Sequence, residues 1–313
     1  MSNFGYINGN YIVRGVGYSR MKEGLRVGEN LKASFPDSID LKITDKCSIG
    51  CKFCHENSSL NGKSFDFQKT ISILSELPKV RLEIALGGGD LLENPQETYD
   101  LVRWLDDRGY CVNGTFNIES LTSDRWHYGK DIELKKKLIN RFDAIGISLN
   151  RRLQIIEENE LCMIIPSFSR IVYHVILGVI SPSDLRSLLN DASKKILLLG
   201  YKTIGRGKIY SPSLSETDLE AYREILRDYI YRPKHKFLTG SVGFDNLAIE
   251  QLNMKDLIDP RRWKYLFMGK DFTSSMYIDA VNEQYAPTSY SDKSERVDWN
   301  KMSLLEYFKT YHK

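Results

Sequence analysis

From residue 39 onward, short runs dense in apolar residues alternate with longer stretches whose apolar positions recur every three or four residues. Residues 39–44 (IDLKIT), 81–86 (RLEIAL), 111–116 (CVNGTF), 144–149 (AIGISL), 170–177 (RIVYHVIL) and 195–199 (KILLL) read as strands. Residues 67–77, 94–107, 132–140, 151–159 and 182–192 carry helical spacing. Asn94 stands at an N-cap position, with Pro95 at the first helical position and Gly109 beyond the end. Six strand-then-helix units imply a parallel sheet, and their nearly continuous apolar strands fit burial on both faces. Curled, this is an α/β fold, a partial (β/α)6 TIM-like barrel whose chemistry would sit at the strands' C-terminal ends.

Three segments follow from this rhythm. Residues 1–36, rich in Gly, Tyr and Val, predict a small β lead in the form of a hairpin. Residues 37–210 form the barrel core. Residues 211–313 form a capping α+β extension, in which Ser215 stands where it can cap a helix and residues 237–244 (FLTGSVGF) and 275–281 (SMYIDAV) are strand candidates.

Composition mainly excludes. Hydrophobic residues at 42% and charged residues at 27% of 313 are globular values, which leaves out disordered, fibrous and membrane-spanning chains. No run approaches the roughly eighteen apolar residues of a membrane span, and MSNFGYINGNYIVRG lacks a signal peptide's apolar core. A cytoplasmic protein is expected. The net charge of +3 is not gathered in one half, since residues 211–313 carry 15 Lys/Arg against 16 Asp/Glu. The short basic clusters at 135–137, 151–152, 194–195 and 261–262 read as solvated faces, so charge argues against a nucleic-acid partner.

Cysteine changes the picture. The five cysteines are an odd number with no secretory context, which disfavours a disulfide framework, and three fall within eight residues as Cys47-x3-Cys51-x2-Cys54. Thiolates this close on a loop past a strand can converge on one inorganic centre. A zinc site would recruit His55 as fourth ligand, but its adjacency to Cys54 makes poor tetrahedral geometry. A dithiol redox pair would use Cys51 and Cys54 and leave Cys47 idle. A [4Fe-4S] cluster on three thiolates would leave one iron open to an exogenous molecule.

Cys-x3-Cys-x-aromatic-Cys directly after the first barrel strand, with Phe53 as the aromatic, resembles the signature of the radical S-adenosylmethionine (radical SAM) superfamily. The resemblance covers roughly residues 38–207. It implies a [4Fe-4S] cluster on Cys47, Cys51 and Cys54 that binds S-adenosylmethionine (SAM) at its open iron. One electron would then cleave SAM to methionine and a 5′-deoxyadenosyl radical, which abstracts hydrogen from substrate. The run Gly87-Gly88-Gly89-Asp90 after the second strand resembles the family's Gly-Gly-Glu, whose backbone meets the SAM amino group; glycines allow such close approach. Asp90 is one methylene shorter than the usual Glu. Ser148 and Asn150 stand at the end of the fourth strand, where the family holds the ribose, and Ile176 and Gly178 match its adenine-side pattern after the fifth.

Candidate catalytic groups near the expected mouth are Asn117, His174, Lys202 and Arg206, the last two read equally as a clamp for an anionic part of a substrate or as solvated loop charges. Residues 163–313 contain no cysteine, which implies the single-cluster type without a Cys-rich auxiliary-cluster extension. The expected substrate is a peptide or small metabolite, and the expected partner a one-electron donor such as flavodoxin or ferredoxin. Modification of a nucleotide or RNA, and a noncatalytic role with a structural Fe-S or zinc site, remain the alternatives.

Overall fold

Alternation, rather than continuous apolarity, organises the central sheet. The computed structural model describes residues 3–16, 19–26, 30–122, 131–153, 155–165, 167–210, 214–231, 240–267 and 269–311. Within it, the six predicted strands appear as β4 (Ser38–Thr44), β5 (Glu83–Gly88), β6 (Cys111–Asn117), β7 (Ala144–Leu149), β8 (Ile171–Ile176) and β9 (Lys195–Leu199), each parallel to the next. Ile39, Leu41, Ile84, Leu86, Val112, Phe116, Ile145, Ile147 and Val175 are buried in one core cluster with helix residues such as Leu101, Leu105, Leu138, Leu161 and Leu185. Their neighbours in sequence point the other way, because side chains alternate along a strand.

Register brings those neighbours together on the second face: Asp40 beside Ala85, Lys42 beside Gly87, Asn117 beside Ser148, and Ser148 beside His174. On β6 and β8 this face is half-exposed at every second residue. The expectation of burial on both faces is therefore corrected: one face is apolar and packed against helices, the other is polar and reached by solvent.

The chain's two flanks both attach to this sheet. Residues 3–24 form three antiparallel strands, β1 (Asn3–Asn8), β2 (Tyr11–Val16) and β3 (Ser19–Gly24), one strand more than the expected hairpin. They are pinned to the start of β4 by buried Asp37, which accepts from Asn8 Nδ2 at 2.6 Å and Tyr11 Oη at 2.5 Å and pairs with Lys22 Nζ at 2.9 Å. Of the strand predicted at 237–244, residues 237–239 lie outside the described residues; β10 (Ser241–Phe244) pairs parallel with β9. At the opposite edge β11 (Ser275–Asp279) pairs parallel with β4, followed by antiparallel β12 (Gln284–Ala286) and β13 (Val297–Asp298). The sheet thus runs β10-β9-β8-β7-β6-β5-β4-β11-β12-β13.

Helices fall where periodicity places them, with shifts at their ends. The first, Phe67–Leu74, starts on an unforeseen cap, Asp66, which accepts from Lys69 N at 3.0 Å. Asn94 precedes Pro95–Asp107 but donates to Ser64 Oγ at 2.8 Å instead of capping. The helix expected over 151–159 forms at Ile155–Ile164, because Leu161 and Ile164 are its buried anchors while Arg151 turns forward to pair with Glu157. Ser215 does cap the helix Glu216–Tyr231, its Oγ accepting from Asp218 N at 3.2 Å.

A glycine in β6 marks how tightly the helix-side face is filled. A Cβ on Gly114 would lie 2.7 Å from the ring of Phe142, which is itself buried and set edge-on to Phe116 at 5.5 Å. Gly114→Ala is expected to lower stability by about 1–3 kcal/mol through overpacking, read as a lower urea midpoint; an unchanged midpoint would show that the ring gives way freely.

Candidate active site

β4 ends at Thr44 and releases the chain into the cysteine loop, whose backbone is held from within. Cys47 N donates to Ser59 O at 2.9 Å, Ser59 N to Asp45 O at 2.9 Å, and Cys54 N to Cys51 O at 3.2 Å. Cys47, Cys51 and Cys54 are free and half-buried. Burial pushes the Cys51 thiol up to about 11, with Cys47, Cys54 and Glu119 adding to it, so Cys51 senses the charge of both neighbouring sulfurs. Among the described residues, no set of three or more His, Cys, Asp or Glu side chains converges on one point as a single metal ion requires. At the end of β6, Asn117 Nδ2 donates to Cys51 Sγ at 3.5 Å.

The glycine run after β5 docks on the start of this loop. Gly88 has φ +117°, and a Cβ there would lie 2.3 Å from Thr44 O; one on Gly89 would lie 2.0 Å from Lys46 O. Gly89 N donates to Thr44 O at 2.6 Å and Asp90 N to Lys46 O at 2.7 Å. Gly87 differs: a Cβ would meet nothing within 4 Å, so its backbone faces open space on the polar face. Asp90 is buried, with Oδ1 accepting from Leu92 N at 3.0 Å, which places it in the turn.

The other predicted residues divide by surroundings. Asn150 Nδ2 donates to Glu119 Oε1 at 2.9 Å, and Asn117 Oδ1 accepts from Glu119 N at 2.9 Å, so both strand ends meet at Glu119. The His174 ring lies across Gly146, where a Cβ would come within 2.4 Å of it. Burial, then Lys202, pulls His174 down to about 4, which leaves it neutral at pH 7. Ile176 shares the face of His174 by strand parity, while Gly178, with φ +75°, donates its N–H to Tyr222 Oη at 3.2 Å in the turn that follows. Lys202 Nζ donates to Ser289 Oγ at 2.8 Å and lies 3.4 Å from His55 Nε2 and 5.7 Å from the Tyr290 ring centroid. Arg206 faces the cysteine loop, with Nε donating to Cys51 O at 2.9 Å and Nη1 to Ser58 O at 2.8 Å. Phe53 packs edge-on against Tyr210 at 5.9 Å.

Sequence reasoning missed a charged cluster beneath the loop. Buried Lys42 Nζ lies 2.8 Å from Asp45, 3.0 Å from Glu56 and 3.2 Å from Asp279, while Tyr277 Oη donates to Glu56 Oε1 at 3.0 Å. Burial alone would pull the Lys42 ammonium down, but Glu56, Asp279 and Asp45 hold it above its usual value. The signal was present in IDLKIT: two charges at alternate positions of a strand otherwise buried require one polar face.

Solved structures share this fold. SuiB of Streptococcus suis bound to S-adenosylmethionine superposes with a TM-score of 0.59 at 12% identity, over 90% of this chain and 67% of that one. SuiB bound to precursor peptide SuiA gives 0.61 at 14% identity, over 88% and 65%. The chain thus spans about two thirds of SuiB's length, and at such identity the likeness is one of fold. No protein-family model matches the chain, and no curated protein does. Among the described residues, no helix is long and apolar enough to cross a membrane.

Asp40 makes the polar face titratable. Its carboxyl is pushed up to about 6 by desolvation in the surrounding protein, against the pull of Lys202 and with Glu83, Asp271 and Asp245 adding. Because the folded form holds its proton more tightly than the unfolded chain, the ionised carboxylate destabilises the fold. The cost is absent below the ordinary carboxylate range, grows towards pH 6 and is complete above it. Asp40→Asn is therefore expected to raise the urea midpoint at pH 8 and leave it unchanged at pH 4; an equal effect at both would exclude titration of Asp40 as the cause.

Proposed function

We propose that this chain is a radical SAM enzyme of the single-cluster type acting on a peptide, with Cys47, Cys51 and Cys54 as ligands of a [4Fe-4S] cluster. The observation that carries the reading is the triad itself, on the loop leaving β4, with Gly88 and Gly89 docked on that loop and Gly87 open beside it. The fold shared with SuiB, whose structures hold SAM or a precursor peptide, supports SAM as cofactor and a peptide as substrate. The three thiols fit the group: they are free, and Cys47 and Cys54 stand near enough to raise the pKa of Cys51, which metal binding would relieve. Cys47, Cys51 and Cys54 would hold such a cluster, for which three thiolates from one short loop are a suitable donor set.

When bound, the cluster supplies the electron that cleaves SAM reductively to methionine and a 5′-deoxyadenosyl radical able to abstract hydrogen. The protein's part is to position and to exclude water. Asn117 donates towards the Cys51 sulfur, the kind of hydrogen bond that tunes a cluster. Gly87 leaves room for a ligand's backbone-like groups to approach β5. His174, neutral on the same face as Ser148, can accept or donate without adding charge. In this reading residues 37–210 form a partial (β/α)6 barrel, preceded by the lead 1–36 and capped by 211–313. A flavodoxin or ferredoxin of the cytoplasm serves as electron donor.

Anaerobic reconstitution with iron and sulfide, then dithionite and SAM, tests this by mass spectrometry of 5′-deoxyadenosine. The expected result is cluster absorbance and SAM cleavage; zinc in the purified protein with no cleavage would overturn the proposal. Cys51→Ala should lose iron and cleavage together, and an active variant would refute the ligand assignment. Gly87→Ala, which meets no protein atom, should keep the urea midpoint yet weaken SAM binding about tenfold, roughly 1.4 kcal/mol; unchanged binding would place SAM elsewhere.

A further inference from the structure

The segment after β9 carries Gly205-Arg206-Gly207, which packs against the cysteine loop about 150 residues away in sequence. Arg206 donates four hydrogen bonds: its main-chain N–H to Cys54 O at 3.0 Å, Nε to Cys51 O at 2.9 Å, and Nη1 to Ser58 O at 2.8 Å and to Asn57 Oδ1 at 3.5 Å. One residue thereby spans the loop from the second cysteine to beyond the third.

Its glycine neighbours make this approach possible. Gly205 has φ +56°, and a Cβ on it would lie 2.4 Å from His55 O and 2.8 Å from Cys54 O. A Cβ on Gly207 would lie 2.4 Å from Lys202 O and 3.3 Å from Phe53 O. The segment is itself anchored: Gln251 accepts from Tyr201 N at 2.8 Å and donates to Tyr201 O at 2.9 Å, while Tyr201 Oη donates to Gly207 O at 2.6 Å. Rigidity therefore passes from the helix Asn246–Gln251 through Tyr201 to the loop.

The guanidinium is also incompletely used. Arg206 Nη2 is buried and has no hydrogen-bond partner among the described residues. A buried N–H of a permanent cation without an acceptor is costly. A sulfur-rich anionic centre held by the same loop would supply the missing partner.

We propose that Gly205-Arg206-Gly207 is a clip that holds the cysteine loop in its ligand-presenting form and lends the bound cluster a fixed positive charge, with Arg206 as its positioning residue. This rests on reading the loop as a cluster site. It moves Arg206 from clamping a substrate anion to supporting the metal ligands. A fixed cation near a cluster favours the reduced, more negative state, so its removal lowers the reduction potential.

The test uses the full chain with and without cluster. In the apo protein, Arg206→Gln should speed amide hydrogen exchange at Cys54 and Asn57 at least tenfold while strands β5 to β8 exchange as before. After reconstitution it should hold at most half the wild-type iron, and its reduction equilibrium should shift about tenfold toward the oxidised form, 59 mV for one electron. Arg206→Lys keeps the charge but not the fork, so it should show the faster exchange with a potential near wild type. Gly205→Ala, which keeps the arginine but collides with the loop carbonyls, should also lose iron, which covers the case in which Arg206→Gln does not fold. Full iron, wild-type potential and unchanged loop exchange in these variants would overturn the clip. Failure of wild-type protein to take up any cluster would instead overturn the reading beneath it.

Discussion

One buried ammonium ties together the parts that make the site. Lys42 extends from the middle of β4 and meets a carboxylate from the loop's first residues, Asp45, one from beyond its last cysteine, Glu56, and one from the neighbouring strand β11, Asp279. Three acids around one cation leave a local excess of negative charge, which Arg296 partly offsets at 3.7 Å from Asp279, while His55, its pKa lowered by burial and by Lys202, meets Glu56 at 3.2 Å. Groups taken out of water this way hold together only as a set, because losing one partner strands the rest. The cysteine loop is thus fastened beneath by charge, at its start by the backbone of Gly89 and Asp90, and along its length by Arg206.

The division of the sheet into two unlike faces explains how such charges can coexist with a large core. Helix-facing positions take the apolar load, so the opposite face is free to carry Asp40, Lys42, Asn117, Ser148 and His174. Small residues there set the space: Gly146 admits the His174 ring, and Gly87 leaves a gap beside Lys42. Hydrogen bonds at the strand ends then converge, with Asn117 and Asn150 both meeting Glu119.

Much of this was legible in the chain. Strands 144–149 and 195–199 form at the predicted limits, and the cysteine loop and glycine run that the sequence singled out lie side by side. What escaped reading is nonlocal. Nothing in SMYIDAV says that it pairs with β4, because the partner lies more than 200 residues away and pairing is chosen by the assembled sheet. Arg206 read only as a substrate clamp or a solvated loop charge because its closest acceptors are backbone carbonyls, which leave no mark on composition. The polar face was visible in IDLKIT but hidden by KILLL, where strand parity puts Leu197 and Leu199 beside His174 and Ile176 on that same face.

The pairing of β11 with β4 also sets an order of events during synthesis. Lys42 and Asp279 are 237 residues apart, so at about 5–20 residues per second the ribosome needs roughly 10–50 s between them. Through that interval β4 has β5 on one side and no neighbour on the other, and the loop bearing the three thiols lacks one of its fastening acids. The last third of the chain is therefore the step that shuts this edge, and until it arrives the cysteines sit on an unfinished sheet.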